Sequence, residues 1–176
     1  YHADHIVGAC ARSGTHYADL SGEYFFQRQM IDEFHSEAER TGAKIVFAAG
    51  VDSVPSDLGV QLAIEHLSAK GGQARHVKAL FTRYAGSFSG GTRKAMEARK
   101  EVMESGEYEA DFHTDPYVLA PGAERTDDGE TVAGWDSYRF DPDLHRIGGP
   151  FFMAPINARI VRLSLIHISE PTRLRS

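Results

Sequence analysis

Cys10 is the single cysteine among 176 residues, so no internal disulfide can form. Such sparing use of cysteine fits a reducing compartment, and a cytoplasmic setting is the expectation. Long apolar runs are also missing: nothing approaches the ~20 residues that a helix needs to span a bilayer. No basic start followed by an apolar stretch marks a secretory leader. The net charge is -6, with both signs scattered and no basic stripe, which speaks against nucleic acid as a partner. Of nine histidines, only His2 and His5 stand three apart, and no Cys/His pair has zinc-finger spacing, so no metal site is expected. There is no G-x-G-x-x-G, the turn that cradles a dinucleotide's phosphates. What is present is an ordinary globular composition, 41% hydrophobic and 25% charged, arranged as short apolar runs between helical patterns.

Residues 4–13 carry Ile6, Val7, Cys10 and Ala11 at helical spacing, and Gly14 marks the stop. "THYADL" (15–20) suits a short strand. A second helical pattern puts Ile31, Phe34 and Ala38 on one face and ends at Gly42. "AKIVFAAG" (43–50) is nearly all apolar, as in a strand buried on both faces. A helix over 56–68 follows. Short apolar strands alternating with helices predict a parallel sheet in an α/β domain. Ligands of such sheets bind at the carboxyl ends of the strands. Both "DLSGE" and "GVDSVPSD" fall there.

Those two stretches hold the candidate site. In "FAAGVDSVPSDLG" (47–59), Ser53 or Ser56 can cap a helix, Pro55 suits its first turn, and Asp57 favours its dipole. Capping leaves Gly50 and Asp52 unexplained. Gly50 lets the backbone turn sharply or approach a ligand closely. In "SGTHYADLSGE" (13–23), His, Tyr, Asp and Glu can supply acid–base chemistry. His16, Tyr17 and Asp52 are therefore the candidate catalytic residues, with His16 or Tyr17 as proton donor. Packing, solvation and capping explain each of these residues singly.

After "AKGGQAR" (69–75), a linker by composition, "HVKALFTRY" (76–84) alternates loosely and is expected to be a strand. "SFSGGTRKA" (87–95) leads into a helix with Ala95, Ala98 and Val102 inward; Ser89 or Thr92 caps it, or its free N–H groups hold an anion. Residues 105–149, rich in Gly, Asp and Pro, are expected to form long connections. An apolar pattern resumes over 149–162. The tail "LSLIHISEPTR" (163–173) resembles the in-frame translation of a transposon-type sequencing-library adapter, so 163–176 are set apart from fold reasoning. Beginning with Tyr1 rather than Met, the chain is expected to be an internal portion of a longer protein.

"SGTHYADLSGE", "GVDSVPSDLG", "SGGT" and "PFFMAPINARIVR" stand in the order seen in the saccharopine dehydrogenase-like oxidoreductases. They span residues 13–162. The chain resembles most closely the actinobacterial branch known as trans-acting enoyl reductases. That resemblance implies the C-terminal part of a Rossmann-type parallel-sheet domain over 1–75 and part of a second α/β (α+β) domain over 76–162. It implies NADP or NAD as cofactor, with His16 to Glu23 and Gly50 to Asp57, among them Gly50, Val51, Asp52, Ser53 and Pro55, on the nicotinamide side. Relatives often carry Phe where this chain has Val51. The implied reaction moves a hydride to or from a C=C or C=N bond, such as that of an enoyl thioester. The implied partner is a small-molecule or carrier-bound acyl substrate; peripheral membrane association and a homodimer stay open. A saccharopine-type amino-acid dehydrogenase is an alternative, and predicts a carboxylate-binding cluster from Arg83, Arg93 and Arg99. A non-catalytic member that associates with lipid or a partner is another, and predicts an exposed apolar patch around Phe151 to Ile156.

Overall fold

The computed structural model describes residues 3–51, 53–74, 77–83, 85–87, 89–123 and 137–169, with side chains to residue 165. Helix α1 (Ala3–Ser13) is followed by β1 (Tyr17–Ala18), α2 (Tyr24–Thr41), β2 (Ile45–Val46) and α3 (Val54–Ala69). Then come α4 (Gly90–Ser105), α5 (Ala110–Thr114), the hairpin β3 (Arg139–Asp141) and β4 (Arg146–Gly148), and α6 (Ala154–Ser169). The pattern of the first half thus forms as its periodicity predicts. Gly14 and Gly42 sit at φ +71° and +76°, the left-handed conformation that stops a helix and that glycine adopts without strain. Thr41 Oγ1 donates to Ala11 O at 2.6 Å, tying the ends of α1 and α2 together.

β1 and β2 pair in parallel, Tyr17 opposite Ile45 and Ala18 opposite Val46. The α/β reading holds at this coarse level. The described residues form one parallel pair and one antiparallel pair, and not the multi-stranded sheet of a Rossmann-type domain. The strands are shorter than the apolar runs that predict them: Asp19 N still donates to Val46 O, but at Ala48, with its positive φ, the regular ladder ends and Ala49 N donates to Asp19 O. Nor is β2 buried on both faces: Val46 is 50% exposed.

The core joins Val7, Tyr24, Phe25, Phe26, Met30 and Ala48 to Val118, Leu119 and Ile160. It therefore takes residues from both sides of the linker at 69–75. Ala98 and Val102 of α4 pack against it, as the inward face of that helix predicts. Ser89 caps α4 by accepting from Thr92 N at 3.1 Å, the plainer of its two readings. Leu163 of the set-apart tail also packs on the core, within a helix that runs on to Ser169.

Two expectations for the second half are corrected. Residues 77–83 form no strand; Lys78 instead bonds Asp141 Oδ2 at 3.0 Å and Asp143, and Phe81 stacks on Phe151 at 4.3 Å. Within the expected connections of 105–149 lie α5 and the β3–β4 hairpin. The hairpin is set by Asp141, whose Oδ1 accepts from Asp143 N and Leu144 N at 2.8 and 2.9 Å. These bonds, Leu144 first, and Lys78 hold its carboxyl below the usual range.

Candidate functional site

At the carboxyl end of β1 the chain is latched by one carboxylate. Asp19 Oδ2 accepts from Tyr17 Oη at 2.8 Å, and Oδ1 accepts from Ser21 N and Ser21 Oγ at 3.0 and 2.7 Å. Residues two apart along a strand share a face, which brings Tyr17 to Asp19. The Asp19 backbone accepts from Ala49 N at 2.7 Å and donates to Val46 O at 3.1 Å, so it fixes the exit of β2 as well. Gln27, 1% exposed, donates to Ser21 O at 2.6 Å. Burial first, then the bond to Asp19 and its charge, push the Tyr17 phenol up to about 12. At neutral pH it is a neutral donor committed to Asp19.

At the end of β2, Ala48 is buried at φ +52°, a conformation that side chains rarely adopt. This turn delivers Gly50 and Val51 to the same edge. A Cβ at Gly50 would stand 3.0 Å from Leu20 Cδ2, so the two loops touch where the glycine has no side chain. Val51 and Leu20 are 82% and 74% exposed and form an apolar lip.

Ser53 precedes α3 but its side chain does not cap the helix. Only 1% exposed, it donates through Oγ to Asn157 Oδ1 at 3.1 Å. Asn157 Nδ2 donates in turn to Ser56 Oγ at 3.0 Å. One buried amide from the first turns of α6 thus holds both serines of the motif. Capping therefore does not account for the hydroxyls; a contact a hundred residues away in sequence does. On its other side α6 approaches the first loop: a Cβ at Gly22 would lie 3.1 Å from Ile156 Cδ1. Residues 19–23, 50–51, 53–57 and 153–157 therefore meet at one place. Asn157 was not among the sequence candidates. Its signals in the sequence are a polar amide inside an apolar run and its place within "PFFMAPINARIVR", one of the stretches that carry the resemblance.

Of the candidates, Gly50 and Val51 lie in the turn after β2, and Ser53 and Pro55 at the start of α3, Pro55 in its first turn. Asp52 lies outside the described residues. Tyr17 stands one residue behind the carboxyl end of β1. His16 is at the other end of the sheet, where its Nδ1 accepts from Lys44 N at 3.1 Å, beside the amino end of β2. Burial raises the carboxyl of Asp57, in the first turn of α3. Arg83 and Arg93 are exposed, apart from the half-buried Arg99. Around Phe151 to Ile156, Phe152 is 40% exposed while Met153 is buried. Among the described residues no group of three or more His, Cys, Asp or Glu is placed to hold a metal ion, and no helix is long and apolar enough to cross a membrane.

No family model matches the chain, and no solved structure matches it. Among curated proteins it is 40% identical over 168 residues to a protein of Mycobacterium tuberculosis named as a candidate trans-acting enoyl reductase, covering 90% of this chain and 39% of that protein. It is 36% identical over 165 residues to the trans-acting enoyl reductase of Mycobacterium leprae, covering 90% and 40%. To the protein of that name from Mycobacterium bovis it is 36% identical over 167 residues, again covering 90% and 40%. The chain thus spans about two fifths of the length of the curated relatives it matches, and its relatives bear the name enoyl reductase.

Proposed function

We propose that this chain is the part of an NAD(P)H-dependent enoyl reductase that closes the nicotinamide side of the cofactor site. The observation that carries the reading is similarity along 90% of the chain to proteins named enoyl reductase. What supports this location is that two strand exits and the start of α6 meet at the carboxyl edge of a parallel pair, the edge where ligands of such sheets bind.

The residues present fit a flat ring with one apolar face. Gly50 leaves room against the backbone, and the exposed Leu20 and Val51 give an apolar lip. Gly50, Val51, Asp52 and Pro55 are the groups proposed to face the nicotinamide, in its NADPH or NADH form. Ser53, buried and bonded to Asn157, is a positioning residue that fixes the loop. Tyr17 and Asp19 hold the neighbouring loop rigid, which preserves the shape of the site without reorganisation during the reaction. His16, at the opposite strand ends, is remote from this edge by fold position, and Asp52, a candidate from the sequence, lies outside the described residues.

When bound, the nicotinamide would supply a hydride to the β carbon of an enoyl thioester, and a proton would reach the α carbon. The proposed substrate is an acyl chain on coenzyme A or on a carrier. The test is transfer of deuterium from a C4-deuterated NADPH into the saturated thioester. It uses a chimera in which this chain's matching stretch replaces its counterpart in the Mycobacterium tuberculosis relative.

A further inference from the structure

Tyr24, at the start of α2, is 2% exposed and is surrounded by positive and donor groups. The Arg159 guanidinium carbon lies 4.0 Å from its ring centre, and that of Arg99 lies 5.8 Å away. His113 Nδ1 is 2.6 Å from Tyr24 Oη. Arg159 is 1% exposed, a burial that arginine rarely tolerates without an acid beside it. Its hydrogen bonds go to backbone oxygens: Nε to Asp115 O at 3.2 Å, Nη1 to Pro155 O at 3.2 Å, Nη2 to His113 O at 2.8 Å. None goes to a carboxylate. Asp115 still favours its charge from nearby, whereas Arg99 opposes it; burial is the largest influence and brings its pKa down to about 10. At neutral pH the charge is present.

Two buried side-chain polar atoms among the described residues have no hydrogen-bond partner, and they are Arg99 Nε and His113 Nε2. Both belong to groups set around the same tyrosine. When Tyr24 Oη donates to Nδ1 of the neutral imidazole, Nε2 carries the hydrogen, and so it does in the imidazolium. Buried donors almost always find a partner, so two orphans in one cluster ask for an acceptor. Charge points the same way: two guanidinium groups and an imidazole gather, and among the described residues no carboxylate is hydrogen-bonded to any of the three. Arg99 also lines an open groove of ≈ 510 Å³ along α4 with Met96, Lys100, Met103 and Glu104.

We propose that Arg99, His113 and Arg159 form a binding site for a phosphate ester beside the α4 groove. A tetrahedral oxyanion accepts from several donors at once, and guanidinium groups match it in geometry and charge. Arg159 stands two residues from Asn157 on α6, a rotation of ~200° about the helix. The phosphate site is therefore on the far side of α6 from the Ser53–Asn157 contact. It stands whether or not the reductase reading holds.

The test titrates the full chain with inorganic phosphate, methyl phosphate and acetate, read by calorimetry and by phosphorus NMR line width. Saturable binding of both phosphates, with acetate at least tenfold weaker, is expected. Arg99→Gln should weaken phosphate binding tenfold or more, and Arg99→Lys less. Arg40→Gln, at the opposite end of α2 from Tyr24, should change it less than threefold. Circular dichroism checks that each variant is folded. The proposal is overturned if the folded wild-type chain binds no phosphate, if Arg99→Gln binds as well as wild type, or if acetate binds as tightly as phosphate.

Discussion

Asn157 is the residue on which the candidate site depends most. Its amide accepts from one buried serine and donates to another, so removing it strands two hydroxyls. Leaving a buried polar group unpaired costs ~1–3 kcal/mol. Asn157→Ala should therefore lower stability by about 2 kcal/mol, measured by urea unfolding. Ser53→Ala should cost less in the Asn157→Ala background than in wild type, with a coupling of ~0.5–3 kcal/mol. Additive effects would show that the bond contributes nothing.

Tyr17 has a consequence for pH. In the unfolded chain its phenol titrates near 10, and in the folded chain near 12. Below the first value both states hold the proton; between the two only the folded state does. Stability from this group is thus complete below about pH 10 and is lost as pH rises through the window. Asp19→Asn removes the bond and the negative charge but not the burial, so Tyr17 should titrate lower while staying above its unfolded value. The difference in phenolate absorbance between each protein and its Tyr17→Phe version reads this directly.

At the level of elements, helices were legible and strand lengths were not. Ile31, Phe34 and Ala38 repeat at helical spacing, and a glycine at a left-handed φ closes α2, so that helix is local information. The parallel pair ends where Ala48 takes a positive φ and Ala49 N, not Ala48 N, bonds Asp19 O, which no periodicity reveals. The β3–β4 hairpin rests on Asp141 bonding its own turn and Lys78 from a distant segment. Loop composition hid it. The two strand exits were legible because apolar runs ended in polar clusters. Asn157 was not, since its partners lie on α3 and only the packing of α6 brings them together.

Glycines show how closely the elements meet. A Cβ at Gly8 would stand 2.7 and 2.9 Å from Phe34 ring atoms, between α1 and α2. Overpacking of this kind costs ~1–3 kcal/mol, and Gly8→Ala should lose that much in thermal or urea unfolding. Gly50→Ala meets only a methyl of the exposed Leu20, which can swing aside. It should cost under about 1 kcal/mol, so any larger effect on cofactor binding would come from the site and not from the fold.

For the whole molecule, the shared core explains why so much of the site is built from distant stretches. Val7, Phe26 and Ala48 pack in one cluster with Val118, Leu119 and Ile160. That packing carries α6 to the strand exits, with Asn157 toward α3 and Arg159 toward Tyr24. One helix thereby serves the proposed cofactor edge and the proposed phosphate site.

The central claim is hydride transfer at the edge formed by residues 19–23, 50–51, 53–57 and 153–157. Its most direct test is the chimera given C4-deuterated NADPH and an enoyl thioester, with the product analysed by mass spectrometry. The account predicts deuterium in the saturated thioester at the β carbon, and a slower rate in the Asn157→Ala chimera. A folded chimera that leaves the thioester unreduced, while the parent relative reduces it with label, would contradict it.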